Sequence, residues 1–190
     1  MGFFDYTQIP SVCTSSTHPG IESAFVSLAY PHEGEAHVLF QHRNRPYRGT
    51  QIVELPGGTV EPDEGCATCT GIREFLEEIE WLRNMQLQDI SFSDCLRTGD
   101  LRYVGHFLTY ASGRTGRKNS WHLVIGLQAT ARLAQDIFQG FVPEEQPERC
   151  EVLGLEGFPL HSLPTNVSET HERFFFPELP GLRGSLPLRR

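Results

Sequence analysis

Residues Pro56 to Leu82 read PGGTVEPDEGCATCTGIREFLEEIEWL. Two glycines after a proline let the backbone approach another group closely and leave carbonyls free to point inward. From Cys66 to Leu82 the pattern turns helical. Phe75, Leu76, Ile79 and Leu82 share one face, and Glu74, Glu77 and Glu78 share another. Spacings of three and four residues bring the three carboxylates onto one surface. Like charges that close repel and destabilise a bare helix. The cluster becomes favourable when a hard divalent cation sits among its oxygens, and Mg2+ takes oxygen ligands while keeping several waters. Cations held this way bridge phosphate oxygens and offset the charge that develops during attack at phosphorus.

Upstream of this stretch the chain reads as strands. Ile21 to Tyr30, IESAFVSLAY, is apolar and bounded by prolines, as a buried strand is. Glu33-Gly34 makes a turn, and Ala36 to His42 is the hairpin partner. An arginine-rich loop follows at 43–49, then a short strand from Gln51 to Leu55 that ends at the glycines. Downstream, Arg102 to Ala111 and Trp121 to Ala131 read as two more strands around a polar, Gly-rich loop. Glu151 to Leu155 reads as a further strand, and Asn166 to Phe175 as a short last helix started by Asn166 or Ser168. The residues from about 176 form a Pro-, Gly- and Arg-rich tail, expected on the surface or disordered. Strands outnumber helices and helix follows strand at the centre, so the class is α/β.

With 190 residues and no linker or internal repeat, the expected organisation is one domain over residues 1–190. Sixteen basic against 24 acidic residues give a formal charge of -8. Such a chain has no general electrostatic pull toward phosphate backbones, which argues against nucleic acid as a partner. No apolar run reaches the ~20 residues of a spanning helix, so no membrane is expected. The N-terminus lacks the basic and apolar regions of a signal peptide, and the expected compartment is the cytoplasm. Five cysteines without a framework spacing are ordinary thiols there.

The stretch resembles the Nudix box, G-x5-E-x7-R-E-U-x-E-E-x-G-U, where U is bulky and apolar. Gly58 and Glu64 match the first spacing; Arg73, Glu74, Phe75, Glu77 and Glu78 match the core, and Trp81 the last U. There are two departures. Eight residues separate Glu64 from Arg73, an insertion that the Gly65-Cys66 junction can absorb. Glu80 stands where the pattern has the Gly that caps the helix, so the helix is expected to run on to Trp81 or Leu82. The resemblance implies a Nudix hydrolase with an α/β/α sandwich around a mixed β-sheet, a box over 57–82, and Mg2+ or Mn2+ as cofactor. It implies metal ligands at Glu74, Glu77, Glu78 and the Gly57 carbonyl, with Arg73 orienting a helix carboxylate and Glu64 supporting Arg73.

Many members take a further carboxylate from a later loop as general base. The acidic loop PEEQPE offers Glu144, Glu145 and Glu148, of which catalysis needs one. Gln41-His42-Arg43 and Glu54-Leu55-Pro56-Gly57 look like the lead-in of ADP-ribose and nucleotide-sugar pyrophosphatases. The implied reaction is metal-dependent cleavage of the pyrophosphate in a nucleoside diphosphate joined to another moiety. Two alternatives stand beside it: a nucleoside triphosphate or capped-RNA pyrophosphohydrolase, and a sensor that binds nucleotide sugars without cutting them.

Other features carry less. Arg43, Arg45 and Arg48 are either a clamp for the diphosphate or a solvated loop. Cys66 and Cys69 form a CxxC without the second pair that a zinc site needs; the small residues there suit a helix packed closely on a sheet. His122 lies in an apolar strand and reads as a satisfied core histidine. Phe3, Phe4 and Tyr6 are apolar for a free tail and point to packing on the body or on a second subunit of a homodimer.

Overall fold

The fold is that of a computed structural model. It describes residues 9, 20–45, 50–61, 66–79, 91–111, 120–141, 143, 152–167, 171, 175, 176 and 179, with backbone alone at 45, 50 and 111. The elements in chain order are β1 (Ile21–His32), β2 (Glu35–Arg45), β3 (Thr50–Glu54), β4 (Gly57–Thr59), α1 (Ala67–Glu78), α2 (Phe92–Thr98), β5 (Leu101–Ala111), β6 (Ser120–Ala129), α3 (Ala131–Gly140) and β7 (Val152–Pro159).

All seven strands join one mixed sheet. β1 and β2 form the expected hairpin, turned by Glu33 and Gly34 with φ of 49° and 83°. β1 runs parallel to β6, which pairs antiparallel with β5. Strand β1 is apolar on both faces because both are covered. Its other edge is shared: β4 pairs with Ser23, Ala24 and Phe25, while β2 pairs from Ala29 to His32. β7 lines one edge of β2 from His37 to Arg43, and β3 takes the opposite edge from Gln41 to Arg45. The sheet therefore forks. One prong is β1 with β4, the other is β2 with β3, and the chain crosses between them at Leu55 and Pro56. The Pro56 carbonyl is held there by the Val26 N–H at 2.8 Å.

Two apolar cores flank the sheet. The first joins Ala24, Val26 and Leu28 to Phe75 and Leu76 of α1, Phe92 of α2 and Ile137 of α3. The second joins Phe40, Val53 and Val124 to Phe175 and Leu179, with Phe176 packed against them. Among the described residues no helix is long and apolar enough to cross a membrane.

Several expectations need correction. Helix α1 ends at Glu78, with Ile79 as its cap at φ -94° and ψ 9°; it does not run on to Trp81. Ile79 is 1% exposed, so its side chain reaches the core from the cap position and burial no longer demands another turn. The first three residues of the supposed arginine loop belong to β2. Gly57–Thr59 is a short strand, because the glycines let β4 lie directly on β1. Two helices were not expected at all, α2 and α3. The helix expected from Asn166 does not begin there, because Val167 bridges Val53 in parallel; further on, His171 and Phe175 lie in a π-helical turn, with the Phe176 N–H donating to the His171 carbonyl.

Candidate active site

Helix α1 sits where it does because its first turn is small. Cys66 is its cap: the thiol sulfur accepts from the Cys69 N–H at 3.3 Å. Neither member of the CxxC is in a disulfide. Thr68 and Thr70 are buried, and a Cβ on Gly71 would stand 3.0 Å from Ile125 Cδ1 and 3.1 Å from Ala24 Cβ. The absent side chain lets the helix lie close over β1 and β6. The acidic face is thereby carried to the fork in the sheet.

Gly57 has φ +152°, and a Cβ there would fall 2.3 Å from the Ala24 carbonyl oxygen and 2.6 Å from Phe25 Cα. Only glycine fits. A Cβ on Gly58 would meet the Glu74 carboxyl at 2.5 Å, so the two glycines make room for the helix carboxylates. Glu78 Oε2 accepts from the Gly57 N–H at 2.7 Å and from Gln41 Nε2 at 2.9 Å. Its Oε1 pairs with Arg43 Nη1 at 2.8 Å, and the same guanidinium lies 3.9 Å from Glu54. Gln41 and Arg43 are alternate residues of β2 and so face one way. Glu78 thus spans the fork, bound to β4 on one prong and to β2 on the other.

This carboxylate is nearly dry. Burial pushes its pKa up to about 7 from an ordinary 4.5, against the opposing pull of Arg43, the Gly57 N–H and Gln41; the nearby Glu74 adds to the rise. Arg73 holds the outer part of the face, with Nη2 2.7 Å from Glu74 and Nη1 2.8 Å from Glu77. The Leu55 N–H donates to Nε2 of His171 at 2.9 Å, just before the glycines. His122 is satisfied, as expected, by Ser23 at 2.8 Å and Ser120 at 3.1 Å, and burial lowers its pKa.

The fork brings together Gly57, Glu74, Glu78 and Arg43, with Arg73 and Glu77 on the outer rim. Arg43 is buried at Glu78 and is neither a loop residue nor solvated. Glu64, Glu144, Glu145, Glu148 and Arg48 lie outside the described residues, as does the side chain of Arg45. Sequence reasoning missed Gln41 and His171. The i, i+2 spacing of Gln41 and Arg43 in a strand was a signal for the first; nothing local marks the second.

Mg2+ or Mn2+ suits the donors present: hard carboxylate oxygens and a peptide group beside them. Two guanidiniums already lie against these carboxylates, and burial, with Glu74 adding to it, raises the Glu78 pKa in spite of them. Among the described residues no three His, Cys, Asp or Glu side chains converge as a ready cage. The residues fit the ion in kind.

A forked mixed sheet that carries an acidic helix against a Gly-Gly strand defines the class, an α/β protein of the Nudix fold. The NUDIX domain profile matches residues 22–176, and the chain belongs to the Nudix family; it is a pyrophosphohydrolase acting on phosphorus anhydrides. Two solved structures agree on the fold, and a third is similar at a lower score. A Nudix hydrolase from M. smegmatis, RenU, is 15% identical over 88% of each chain, with a TM-score of 0.50. A bifunctional NMN adenylyltransferase/ADP ribose pyrophosphatase from Francisella tularensis is 16% identical, covering 88% of this chain and 43% of its own, also at 0.50. A C. elegans Ap4A hydrolase is 13% identical over 87% and 93% of the two chains, at 0.48. No curated protein matches the chain by sequence.

Proposed function

We propose that the protein hydrolyses, with Mg2+ or Mn2+, the pyrophosphate of a nucleoside diphosphate joined to another moiety, ADP-ribose or a nucleotide sugar by preference. The observation that carries this is the pair of helix carboxylates, Glu74 and Glu78, set against the Gly57-Gly58 backbone with Glu77 on the same face. The substrate preference is supported by the lead-in around Gln41 to Arg43 and Glu54 to Gly57.

In this reading Glu74, Glu77, Glu78 and the Gly57 carbonyl hold the cation. When bound, such an ion offsets phosphate charge and lowers the pKa of a coordinated water. Arg73 orients Glu74 and Glu77, with Glu64 in support. One of Glu144, Glu145 and Glu148 takes the proton of the attacking water. Arg45 and Arg48 bind the diphosphate, while Arg43 is committed to Glu78. The whole chain acts as one Nudix domain.

The test is a substrate panel of ADP-ribose, nucleotide sugars, nucleoside triphosphates and capped RNA, each with Mg2+, with Mn2+ and with chelator. Fastest metal-dependent release from ADP-ribose or a nucleotide sugar is expected. Fastest release from a triphosphate or cap would move the assignment to the alternative enzyme. Tight binding of nucleotide sugars without any cleavage would make the protein a sensor.

A further inference from the structure

The crossing of the fork is held from behind by the C-terminal stretch. Leu55 is fully buried, and its N–H finds its acceptor 116 residues away, at Nε2 of His171. Because the amide donates, that nitrogen carries no proton and the ring proton sits on Nδ1. The ring is 2% exposed. It stands edge-on to Phe25, with centroids 5.3 Å apart, and to Phe175, at 4.6 Å. Phe25 is the residue paired with Gly57 across β1 and β4, and its Cα and ring hem the glycine in. His171 therefore touches Leu55, two residues before Gly57 in the chain, and Phe25, beside Gly57 in the sheet. The same stretch runs along β3, where the Val53 N–H donates to the Asn166 carbonyl at 3.0 Å.

Three phenyl rings, Phe25, Phe175 and Phe176, lie against His171, and another aromatic ring would pack on them as well. The ring nitrogen answers the Leu55 amide. We propose that His171 is a positioning residue for the Gly57-Gly58 strand: through Leu55 and Phe25 it sets where Gly57 and Gly58 meet Glu78 and Glu74. The proposal rests on the reading of Gly57, Glu74 and Glu78 as cation-holding groups. Ligand carbonyls and carboxylates are commonly tuned by such outer partners, whose loss weakens metal affinity.

Two variants of the full chain separate positioning from filling. His171→Phe keeps the ring volume and removes the acceptor. His171→Gln offers an amide oxygen at the reach of Nε2. Two readouts are followed: amide exchange at Leu55 and Gly57 in metal-free protein, with β6 amides as internal reference, and the Mn2+ dissociation constant of the protein without substrate. In His171→Phe, both amides should exchange about tenfold faster relative to β6, and Mn2+ binding should weaken about tenfold. His171→Gln should stay within about threefold of wild type on both counts. Changes at Gly57 and in Mn2+ binding below about threefold in folded His171→Phe would overturn the proposal. Should that variant not fold, His171→Gln decides, and loss of Gly57 protection there overturns it. Failure of the underlying metal reading looks different: Glu78→Gln would bind Mn2+ as wild type does, while the Gly57 exchange result still settles the part played by His171.

Discussion

The two arginines of the acidic face hold their carboxylates at the same distance. Arg73 lies 2.8 Å from Glu77, and Arg43 lies 2.8 Å from Glu78. The first pair is one helical turn on α1, with side chains 37% and 55% exposed. The second joins β2 to the last turn of α1, at 8% and 10%. Water and salt screen the first, and such pairs contribute about 0.3–0.5 kcal/mol. The second has lost its water. Even with a guanidinium, a backbone N–H and an amide against it, Glu78 is pushed up to about 7. Distance therefore says little about what an ion pair does; burial decides whether it is an ornament of the helix or a stored cost at the site.

The largest expected effect breaks the buried end. Glu78→Gln keeps the shape and removes the charge, and turnover should fall by about two orders of magnitude or more with folding intact. Steady-state kcat on the best substrate checks this, and a near-normal value would remove Glu78 from the chemistry. Next, Arg43→Gln should destabilise metal-free protein by about 3 kcal/mol at pH 9, where Glu78 is left buried and charged. Near pH 5 the loss should shrink, because Glu78 then takes a proton. Denaturant unfolding at the two pH values measures it, and equal losses would mean that Arg43 is held by packing rather than by Glu78.

Wild type alone should show the same strain. The folded-state pKa of Glu78, about 7, lies above its ordinary 4.5. The associated stability is thus complete below pH 4.5 and is lost as pH rises through 7, roughly 3 kcal/mol in all for the metal-free protein. Unfolding curves in chelator from pH 4 to 8 should slope accordingly, and Glu78→Gln should flatten them. The smallest effect belongs to the exposed end. A double-mutant cycle on Arg73 and Glu77 should give a coupling of about 0.5 kcal/mol or less, reduced by salt. A coupling of several kcal/mol would erase the contrast between the two ends.

Much of this was legible along the chain. The apolar run of β1, the Glu33-Gly34 turn and the helical spacing of Phe75, Leu76 and Ile79 are local patterns, and local patterns survive into the fold. The Gly-Gly of β4 and the three glutamates raised the expectation of a cation, because like charges that close destabilise a bare helix. Two helices escaped notice although their caps were present. Ser91 and Asp94 form a capping box at α2 with Gly99 closing it, and Thr130 caps α3 directly after β6. Seven residues give α2 too little periodicity to read, and α3 begins so close to the strand that its first residue was taken as the strand's end. The end of α1 was misjudged because the apolar spacing continues to Leu82, whereas Ile79 is already buried from the cap position.

By itself the sequence determined the class, the acidic helix, the Gly-Gly break before it and the spacing of Arg73 to its glutamates, all of which depend on residues within a few positions of one another. The tertiary structure alone decided that Arg43 and Gln41 close on Glu78, 35 and 37 residues away, and that His171 holds the crossing at Leu55. Those contacts exist because β1 and β3 divide one edge of β2 and leave a fork for α1 to end in. Strand pairing is non-local, and burial, which turns an ordinary glutamate into one titrating near neutrality, is a property of the assembled sheet and helix rather than of any stretch of chain.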